Sequence, residues 1–274
     1  MSSVHPHSYV LGHSERELER LSAQARFLEP ITRQFLREAG IVPGMRVLDF
    51  GSGVGDVAFL AAELVGDTGE VVGVDRAPAA LAAARKRSDA RSLRNVSFPD
   101  GDPAEMAFEP QFDAVVGRYV LLFQDDPSAT LRKLALRVRP GGLVVFHEPD
   151  WGSARSFPPG PTYDRCCHWI TETFRLAGND SNMACKLPAA FVGAGLPAPS
   201  MRMQTFIGIG AGCTVFLQAV ADLVGSVLPT MEQLGVATAA EVEPATLAER
   251  LRLEVTATDS VIIGRSEIGV WSRV

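Results

Sequence analysis

The sequence of 274 residues predicts a doubly wound α/β fold with a mostly parallel sheet of seven strands. The first observation is that short apolar runs alternate with helical segments between residues 46 and 146. The second is that these runs are almost continuously apolar, which is typical of strands buried on both faces. The third is a glycine-rich loop that joins the first apolar run to the helix after it.

The elements follow from local signals along the chain. Ser14 and Glu17 form a capping box that opens a first helix, and Pro30 separates it from a second helix over 31–39. The apolar runs predict strands at 46–50, 70–74, 96–98, 112–117 and 143–146. Helical spacing predicts the connecting helices at 57–65, 78–90 and 127–138.

The alternation stops after Trp151, where a loop rich in Pro and Gly covers 153–161. Beyond it we predict helices at 163–177 and 187–195, a strand at 201–209, helical segments near 213–224, 229–235 and 244–254, and a final strand at 267–273. This pattern predicts four parts: an N-terminal helical lid (1–40), a core (41–209), a helical cap insertion (210–256), and a C-terminal strand (257–274) that completes the core sheet.

Composition narrows the function classes. The net charge of −6 argues against a general grip on nucleic-acid backbones, and the basic run 85–87 is interpreted as a solvated helix face. Four cysteines without metal-ligand spacing predict neither a disulfide framework nor a metal site. The N-terminus lacks the features of a secretory signal. The apolar stretch 206–228 is interrupted by Gln218, Asp222 and glycines, so we expect no membrane span and a cytoplasmic protein.

The segment around the first strand end is the most informative part of the sequence. Asp49 and Phe50 close the strand, and Gly51-Ser52-Gly53-Val54-Gly55 follows at once. Glycines let the chain turn tightly and let a ligand approach the backbone. Asp75 ends the next strand, where a carboxylate can accept two hydrogen bonds from a ribose diol. The loop and Asp75 together predict a nucleotide-type cofactor.

Two cofactors compete for this arrangement. A dinucleotide prefers G-x-G-x-x-G, with its pyrophosphate at the helix N-terminus. Here Asp56 stands at the position of the last glycine, and its charge would repel a pyrophosphate. S-adenosylmethionine (SAM) carries a sulfonium, an ammonium and no phosphate. An acidic rim formed by Asp49 and Asp56 therefore favours SAM.

The segment 47–55 resembles the nucleotide-binding motif of class I SAM-dependent methyltransferases, a family with a Rossmann-like fold. Further segments resemble that family's motifs in the same order: Gly101-Asp102, 112–118 and 139–145. The resemblance covers roughly residues 40 to 150 and is closest to the small-molecule branch of ubiquinone/menaquinone-type and natural-product methyltransferases. The opening 9–13, with Gln24, is similar to the N-terminal lid of that branch.

The resemblance implies a role for each matching residue. Gly51, Ser52 and Gly53 would pack against SAM, with Asp49 below its amino-acid end, and Asp75 would hold the ribose hydroxyls. At the adenine, Arg76 would flank the ring and Asp102 and Pro103 would contact its edge. The backbone of Gly117 and Arg118 would face the methionine amino group, and the lid would add the cofactor contacts of Tyr9 and Gln24.

Candidate catalytic residues follow from the strand ends near the switch point. His147 and Glu148 end the fifth strand and alternate across it, so at most one faces the pocket directly. An unperturbed histidine titrates near neutrality and is a natural general base, which makes His147 a candidate, although packed strand-end histidines are common. Tyr119 follows the fourth strand near the sulfonium. His168, on the helix after the loop, would line the substrate wall if that face points inward.

We therefore predict an enzyme that transfers a methyl group from SAM to a small, partly apolar acceptor, in keeping with secondary metabolism. Three alternatives stay open: an NAD(P)-dependent oxidoreductase, a SAM-binding enzyme that catalyses a cyclisation or rearrangement without methyl transfer, and a regulatory protein with a vestigial site. The apolar residues of 210–256 could cover an acceptor, form a homo-oligomer interface or close the core.

Overall fold

The computed structural model of the chain describes residues 15–100, 109 and 111–274, with side chains from residue 27 onward. The helices of these residues are α1 (Glu15–Ala39), α2 (Asp56–Val65), α3 (Pro78–Ala90), α4 (Pro127–Ala135), α5 (Pro161–Leu176), α6 (Met183–Gly193), α7 (Thr214–Leu234), α8 (Ala239–Val242) and α9 (Leu247–Thr258). The strands are β1 (Arg46–Phe50), β2 (Glu70–Val74), β3 (Val96–Ser97), β4 (Phe112–Arg118), β5 (Val138–Asp150), β6 (Arg155–Phe157), β7 (Ser200–Ile209) and β8 (Val261–Arg273).

The chain divides into two compact units. The first, here called the sheet unit, consists of residues 25–148, 183–203 and 268–274. The second, the helical unit, consists of 149–182, 204–267 and the described part of 1–24. The segment 149–182 therefore groups with the insertion, whereas the sequence predicts it as part of the core. The other predicted boundaries stay predictions.

The sheet unit is doubly wound. Its strand order is β3-β2-β1-β4-β5, followed by the end of β8, and the pairs among the first five strands are parallel. The order reverses between β1 and β4, so the switch point lies at the carboxyl ends of these two strands. Asp49 of β1 lies opposite Gly73 of β2 and Val116 of β4, in the middle of the sheet. The predicted fold class is confirmed.

Apolar side chains pack α2 against this sheet. Val47, Val71 and Val116 are fully buried, and Phe59 and Leu60 of α2 pack into the same cluster. Seven of the ten residues of α2 are buried, which fits a helix that begins immediately after the glycine loop and lies against β1. The loop between them is therefore fixed at both ends by packed elements.

Helices α5, α7 and α9 pack together in the helical unit. Tyr163 of α5 is fully buried and donates its hydroxyl to the carbonyl oxygen of Ile263, 2.9 Å away. The Glu254 carboxylate of α9 accepts from the backbone amide of Thr162 at 3.0 Å and so caps the first turn of α5. Most of the apolar residues of α7 are buried inside this unit, among them Phe216, Val220, Val224 and Val227. Closing this core is therefore one role of the predicted cap.

Two predicted helix breaks are wrong. Pro30 lies inside α1 and Pro229 lies inside α7, and both helices continue through them. Proline removes one helical hydrogen bond and crowds the preceding turn. In α1, Leu28 before Pro30 and Phe35 after it are both buried, so packing on either side of the proline holds the helix together.

The strand count also differs from the prediction. The described residues form eight strands, because three residues of the predicted loop form β6 and pair antiparallel with the beginning of β8. The last strand begins at Val261, six residues before the predicted start at 267. β5 likewise begins before the Pro140-Gly141-Gly142 turn. Strand pairing across the sheet defines these bounds, and local sequence patterns do not contain it.

One described helical segment, Gly210–Leu234, is long and apolar enough to cross a membrane. In the structure, 44% of its most apolar window is buried. A core helix passes the same test of length and composition, so the test does not separate the two.

Candidate active site

The loop between β1 and α2 adopts a conformation that requires glycine. Gly51, Gly53 and Gly55 have φ of +74°, +53° and +90°, in the left-handed region that disfavours other residues. The amides of Gly51 and Ser52 both donate to the carbonyl of Val74 at 2.9 Å, which ties the loop to the end of β2. The loop therefore has a fixed shape.

Gly51 and Gly53, the first two glycines of the loop, have different surroundings. A Cβ at Gly51 would lie 2.6 Å from Cγ2 of Val120, so glycine is needed there for close packing. A Cβ at Gly53 would meet no atom within 4 Å. Gly53 thus leaves its backbone accessible, which is what the close approach of a cofactor requires.

Asp75 organises the same loop. One carboxylate oxygen accepts from the amide of Gly53 at 2.8 Å, and the other accepts from the amide of Ala77 at 2.9 Å. The side chain is half-buried, and each oxygen keeps a second lone pair for a further donor. The predicted ribose ligand therefore also holds the glycine loop in place.

Asp49 is fully buried beneath this loop. Neither of its carboxylate oxygens has a hydrogen-bond partner of normal geometry, and the hydroxyl of the neighbouring Ser52 has none either. Burial raises the pKa of Asp49 to about 7, while the positive charge of Arg118 and the amide of Ala58 act in the opposite direction. A buried carboxylate that lacks a donor of normal hydrogen-bond geometry is costly, so the position fits a cationic ligand group. SAM carries two such groups, and the residues present therefore fit it.

The acidic rim predicted from Asp49 and Asp56 needs correction. Asp56 accepts from the guanidinium of Arg87 at 2.7 Å and lies 4.0 Å from that of Arg118. Its charge is balanced by these arginines, so Asp56 by itself does not exclude a pyrophosphate. The electrostatic preference for a cation comes from Asp49.

The end of β4 lies beside the loop. Gly117 has no room for a side chain, because a Cβ would lie 2.6 Å from the Phe146 ring and 3.0 Å from the carbonyl of Phe50. The side chain of Arg118 is largely buried and donates to the hydroxyl of Thr32 at 3.1 Å. Tyr119 follows with φ of +58°, a strained conformation for a tyrosine of the kind that concentrates at functional sites.

His147 and Glu148 at the end of β5 are both buried, with 2% and 0% exposure. Nδ1 of His147 lies 3.0 Å from the Thr32 hydroxyl, and its ring packs edge-on against Phe35 and Tyr119 at centroid distances of 5.0 and 5.6 Å. His147 is thus packed between the C-terminal half of α1 and Tyr119, the residue that follows β4.

Glu148 has a structural task. One of its carboxylate oxygens accepts from the amides of Val120 at 2.9 Å and Leu121 at 2.8 Å. These bonds hold the turn that follows β4, and Val120 is the residue that packs on Gly51. The contacts favour Glu148 as a support of the loop over Glu148 as a catalytic base.

The remaining predicted residues are not brought to the loop by the described contacts. His168 is exposed on α5, whose buried face consists of other residues, and its place in a substrate wall stays a prediction. Arg76 is also exposed. Tyr9, Asp102 and Pro103 lie outside the described residues, as does the side chain of Gln24.

Two residues of the site were missed by sequence reasoning. Arg87 was assigned to a solvated face, but it also donates to the carbonyl of Val54 at 2.6 Å and so clamps the glycine loop. Thr32 lies in α1, at a position that belongs to no recognisable sequence motif. The one sequence feature that could have indicated Thr32 is its polar side chain on the buried face of a helix, four residues after Leu28. Metal ligation was not predicted, and among the described residues no three His, Cys, Asp or Glu side chains form a metal-binding group.

Comparison with known proteins identifies the family of this chain. A family described as "Methyltransferase domain" matches residues 41–225, more than half of the chain. Aklanonic acid methyltransferase DauC of Streptomyces sp. (strain C5) is 36% identical over 146 residues, which are 53% of this chain and 65% of that protein. The 2-phytyl-1,4-naphtoquinone methyltransferase of Synechococcus elongatus is 36% identical over 188 residues, 66% of this chain and 76% of that protein.

A solved structure shows the same fold. Phosphoethanolamine N-methyltransferase 2 of Haemonchus contortus, in complex with S-adenosylhomocysteine (SAH), superimposes with a TM-score of 0.56 at 17% identity. The superposition covers 89% of this chain and 52% of that one.

The chain therefore belongs to the class I SAM-dependent methyltransferases, the class that the glycine loop and the doubly wound sheet define. Within this class it belongs to the branch that methylates small molecules, and its cofactor is SAM. The predicted family and cofactor are confirmed.

Proposed function

We propose that this protein transfers the methyl group of SAM to a small, partly apolar acceptor of the polycyclic aromatic or quinone type. Support for the acceptor class comes from the relatives, which are named for aklanonic acid and for a phytylated naphthoquinone. The observation that carries the cofactor assignment is the buried Asp49 carboxylate, which has no partner of normal hydrogen-bond geometry beneath the glycine loop. It offers a counter-charge to the amino-acid end of SAM.

The chain's residues would contribute mainly by alignment. Methyl transfer is a displacement at carbon, so the protein must hold nucleophile, methyl group and sulfur in line and exclude water. Asp75 would hold the ribose, and Gly51, Ser52 and Gly53 would hold the adjoining part of the cofactor. His147 and Tyr119 are the candidates for contact with the acceptor, since both lie where β4 and β5 end.

The alternatives to methyl transfer do not have equal support. The family match decides against an NAD(P)-dependent oxidoreductase. A cyclisation or rearrangement that uses bound SAM without transferring its methyl group would need the same cofactor site, so only product analysis separates it from methyl transfer. The relative named for aklanonic acid is a methyltransferase, which favours methyl transfer.

The first experiment is a calorimetric titration of the purified chain with SAH, with NAD as the control ligand. We expect micromolar affinity for SAH and no heat of binding for NAD. Binding of NAD alone would overturn the assignment of the glycine loop, and binding of neither would show that the site is vestigial.

The second experiment tests the acceptor class. Alizarin and 1,4-dihydroxy-2-naphthoic acid are incubated with the enzyme and SAM that carries an isotopically labelled methyl group. Label in the aromatic product, detected by mass spectrometry, supports the proposal. SAH binding without label in either product would refute this acceptor class while leaving the cofactor assignment intact.

We further propose that the enzyme is cytoplasmic, that residues 1–40 form an N-terminal lid and that residues 210–256 form a helical cap insertion. A homo-oligomer is part of this proposal, and sedimentation analysis tests it. The exposed Ile207 and Ile209 of β7 and Val215 at the start of α7 are available for such a contact.

A further inference from the structure

Thr32 of α1 is the centre of a small buried polar network. Its side-chain hydroxyl lies 3.0 Å from the carbonyl oxygen of Leu28, 3.0 Å from Nδ1 of His147 and 3.1 Å from the guanidinium of Arg118. Thr32 itself is 1% exposed, so water does not compete for these bonds. Each partner belongs to the sheet unit.

The number of hydrogens in this network fixes its directions. A threonine hydroxyl has one hydrogen to donate and two lone pairs to accept with. For all three contacts to be hydrogen bonds at once, the hydroxyl must donate its hydrogen to the Leu28 carbonyl, which can only accept. Arg118 can only donate, which uses one lone pair of the hydroxyl. The remaining lone pair faces Nδ1 of His147, and Nδ1 must therefore carry a hydrogen and donate it.

This assignment determines the chemistry of the other ring nitrogen. A neutral imidazole that is protonated at Nδ1 carries its lone pair on Nε2. Nε2 is then a hydrogen-bond acceptor and a proton acceptor. The ring cannot turn freely, because Phe35 and Tyr119 pack edge-on against it.

We propose that Thr32 is a positioning residue: it holds His147 in the Nδ1-protonated tautomer, so that Nε2 takes the proton from a hydroxyl group of the acceptor. The inference rests on the proposed function. In the reaction, the acceptor oxygen forms a bond to the methyl carbon of SAM as the bond between that carbon and sulfur breaks. The electron pair of the broken bond stays on sulfur, giving neutral SAH, and the hydroxyl proton moves to Nε2. His147 later returns this proton to solvent.

Three variants separate this role from a structural one. Thr32→Val keeps the shape of the side chain and removes the acceptor for Nδ1, whereas Thr32→Ser keeps the hydroxyl. The matched control is Thr173→Val, because Thr173 is also buried in a helix and bonds the carbonyl four residues before it, that of Trp169, at 2.6 Å. Among the described contacts, Thr173 has no histidine partner.

The decisive measurement is nitrogen NMR of histidine labelled with ¹⁵N in the SAH-bound protein. The chain has five histidines, and the His147→Gln spectrum assigns the signal of interest. The pH is raised until the His147 ring is neutral. In that state we expect the Nδ1–H tautomer in the wild type, in Thr32→Ser and in Thr173→Val. In Thr32→Val we expect the preference for this tautomer to be lost. An Nε2–H tautomer in the wild type, or an unchanged spectrum in Thr32→Val, would overturn the proposal.

The wild-type spectrum decides the tautomer even if Thr32→Val does not fold, and Thr32→Ala then serves as the second variant. With an aromatic acceptor that accepts label, kcat should fall roughly 10- to 100-fold in Thr32→Val and His147→Gln and stay within about threefold in Thr32→Ser. SAH affinity should be unchanged in all of them. If the wild type did not bind SAH, the proposed function would be rejected. If kcat were unchanged in His147→Gln, this inference alone would be rejected.

Discussion

At the scale of single residues, the carboxylates of the site have different environments and so different tasks. Asp75 is half-buried and already accepts from two loop amides, so it couples the shape of the loop to the binding of the ribose. Asp49 is buried without such donors. Asp56 is paired with arginines. Environment, more than residue type, decides which carboxylate faces a cation.

Replacing Asp75 with Ala should weaken SAH binding about 100-fold. The change removes a charged acceptor of the ribose and releases the amides of Gly53 and Ala77, each of which loses a charge-assisted bond. Calorimetry with SAH measures the effect, and Asp67→Ala, which changes an exposed carboxylate, is the control. Equal affinities for both variants would contradict the assigned role.

Asp49 should make both stability and cofactor binding depend on pH. Its raised pKa means that the folded state holds a proton that the unfolded state, with an ordinary pKa near ~4, releases. The free energy of unfolding therefore falls as pH rises from about 4 to about 7, by at most about 4 kcal/mol from this group. Denaturant titrations without ligand should show this fall in the wild type and a smaller one in Asp49→Asn.

The same carboxylate should make SAH bind more tightly as pH rises toward about 8. The ligand ammonium favours charged Asp49, so binding below the pKa must release the proton. Calorimetry in buffers of different ionisation enthalpy detects that proton. Asp49→Asn should bind weakly with little pH dependence, and a wild-type affinity that is flat with pH would refute the counter-charge role.

At the scale of elements, the site depends on how β1, β4 and α2 meet. The glycine loop is fixed by Val74 below, Val120 beside it and Arg87 across it. Glu148 holds the turn that carries Val120. A loop with so many supports is set in shape before the cofactor arrives, so little ordering is required on binding.

The two loop glycines should therefore respond differently to alanine. Gly51→Ala combines a disfavoured φ with a contact of 2.6 Å to Val120 and should lower the free energy of unfolding by about 2–4 kcal/mol. Gly53→Ala suffers the backbone strain alone, about 1 kcal/mol, yet its methyl group enters the space assigned to SAM. Its SAH affinity should fall at least about tenfold.

Denaturant unfolding and calorimetry of the two variants test this contrast. If Gly53→Ala bound SAH as tightly as the wild type, the space at Gly53 would not be the cofactor site. If Gly51→Ala were as stable as the wild type, the close packing against Val120 would not constrain the loop.

At the scale of the whole molecule, the described chain forms two compact units, and the glycine loop, Asp49 and Asp75, which are assigned to SAM, lie in the sheet unit. A ligand that binds only the folded state stabilises it by mass action. The negative net charge of −6 offers no general attraction for phosphate-rich ligands, so selectivity must come from the site itself.

SAH at about 100 times its Kd should stabilise the fold by about 2.7 kcal/mol and raise Tm by about 5 °C for a chain of this size. NAD at the same concentration should leave Tm unchanged. Differential scanning calorimetry measures both shifts, and a rise with NAD equal to that with SAH would contradict the selectivity proposed for the site.

The sequence by itself determined the doubly wound fold, the glycine loop, Asp75 as the strand-end carboxylate and the family, because strand periodicity and turn chemistry are local properties. Tertiary structure decided the rest. Thr32 and His147 meet across 115 positions of sequence, and Arg87 reaches Asp56 across 31. Helices α1 and α7 continue through their prolines because burial on both sides outweighs the local break. Such contacts depend on which elements pack together, and no local pattern contains that information.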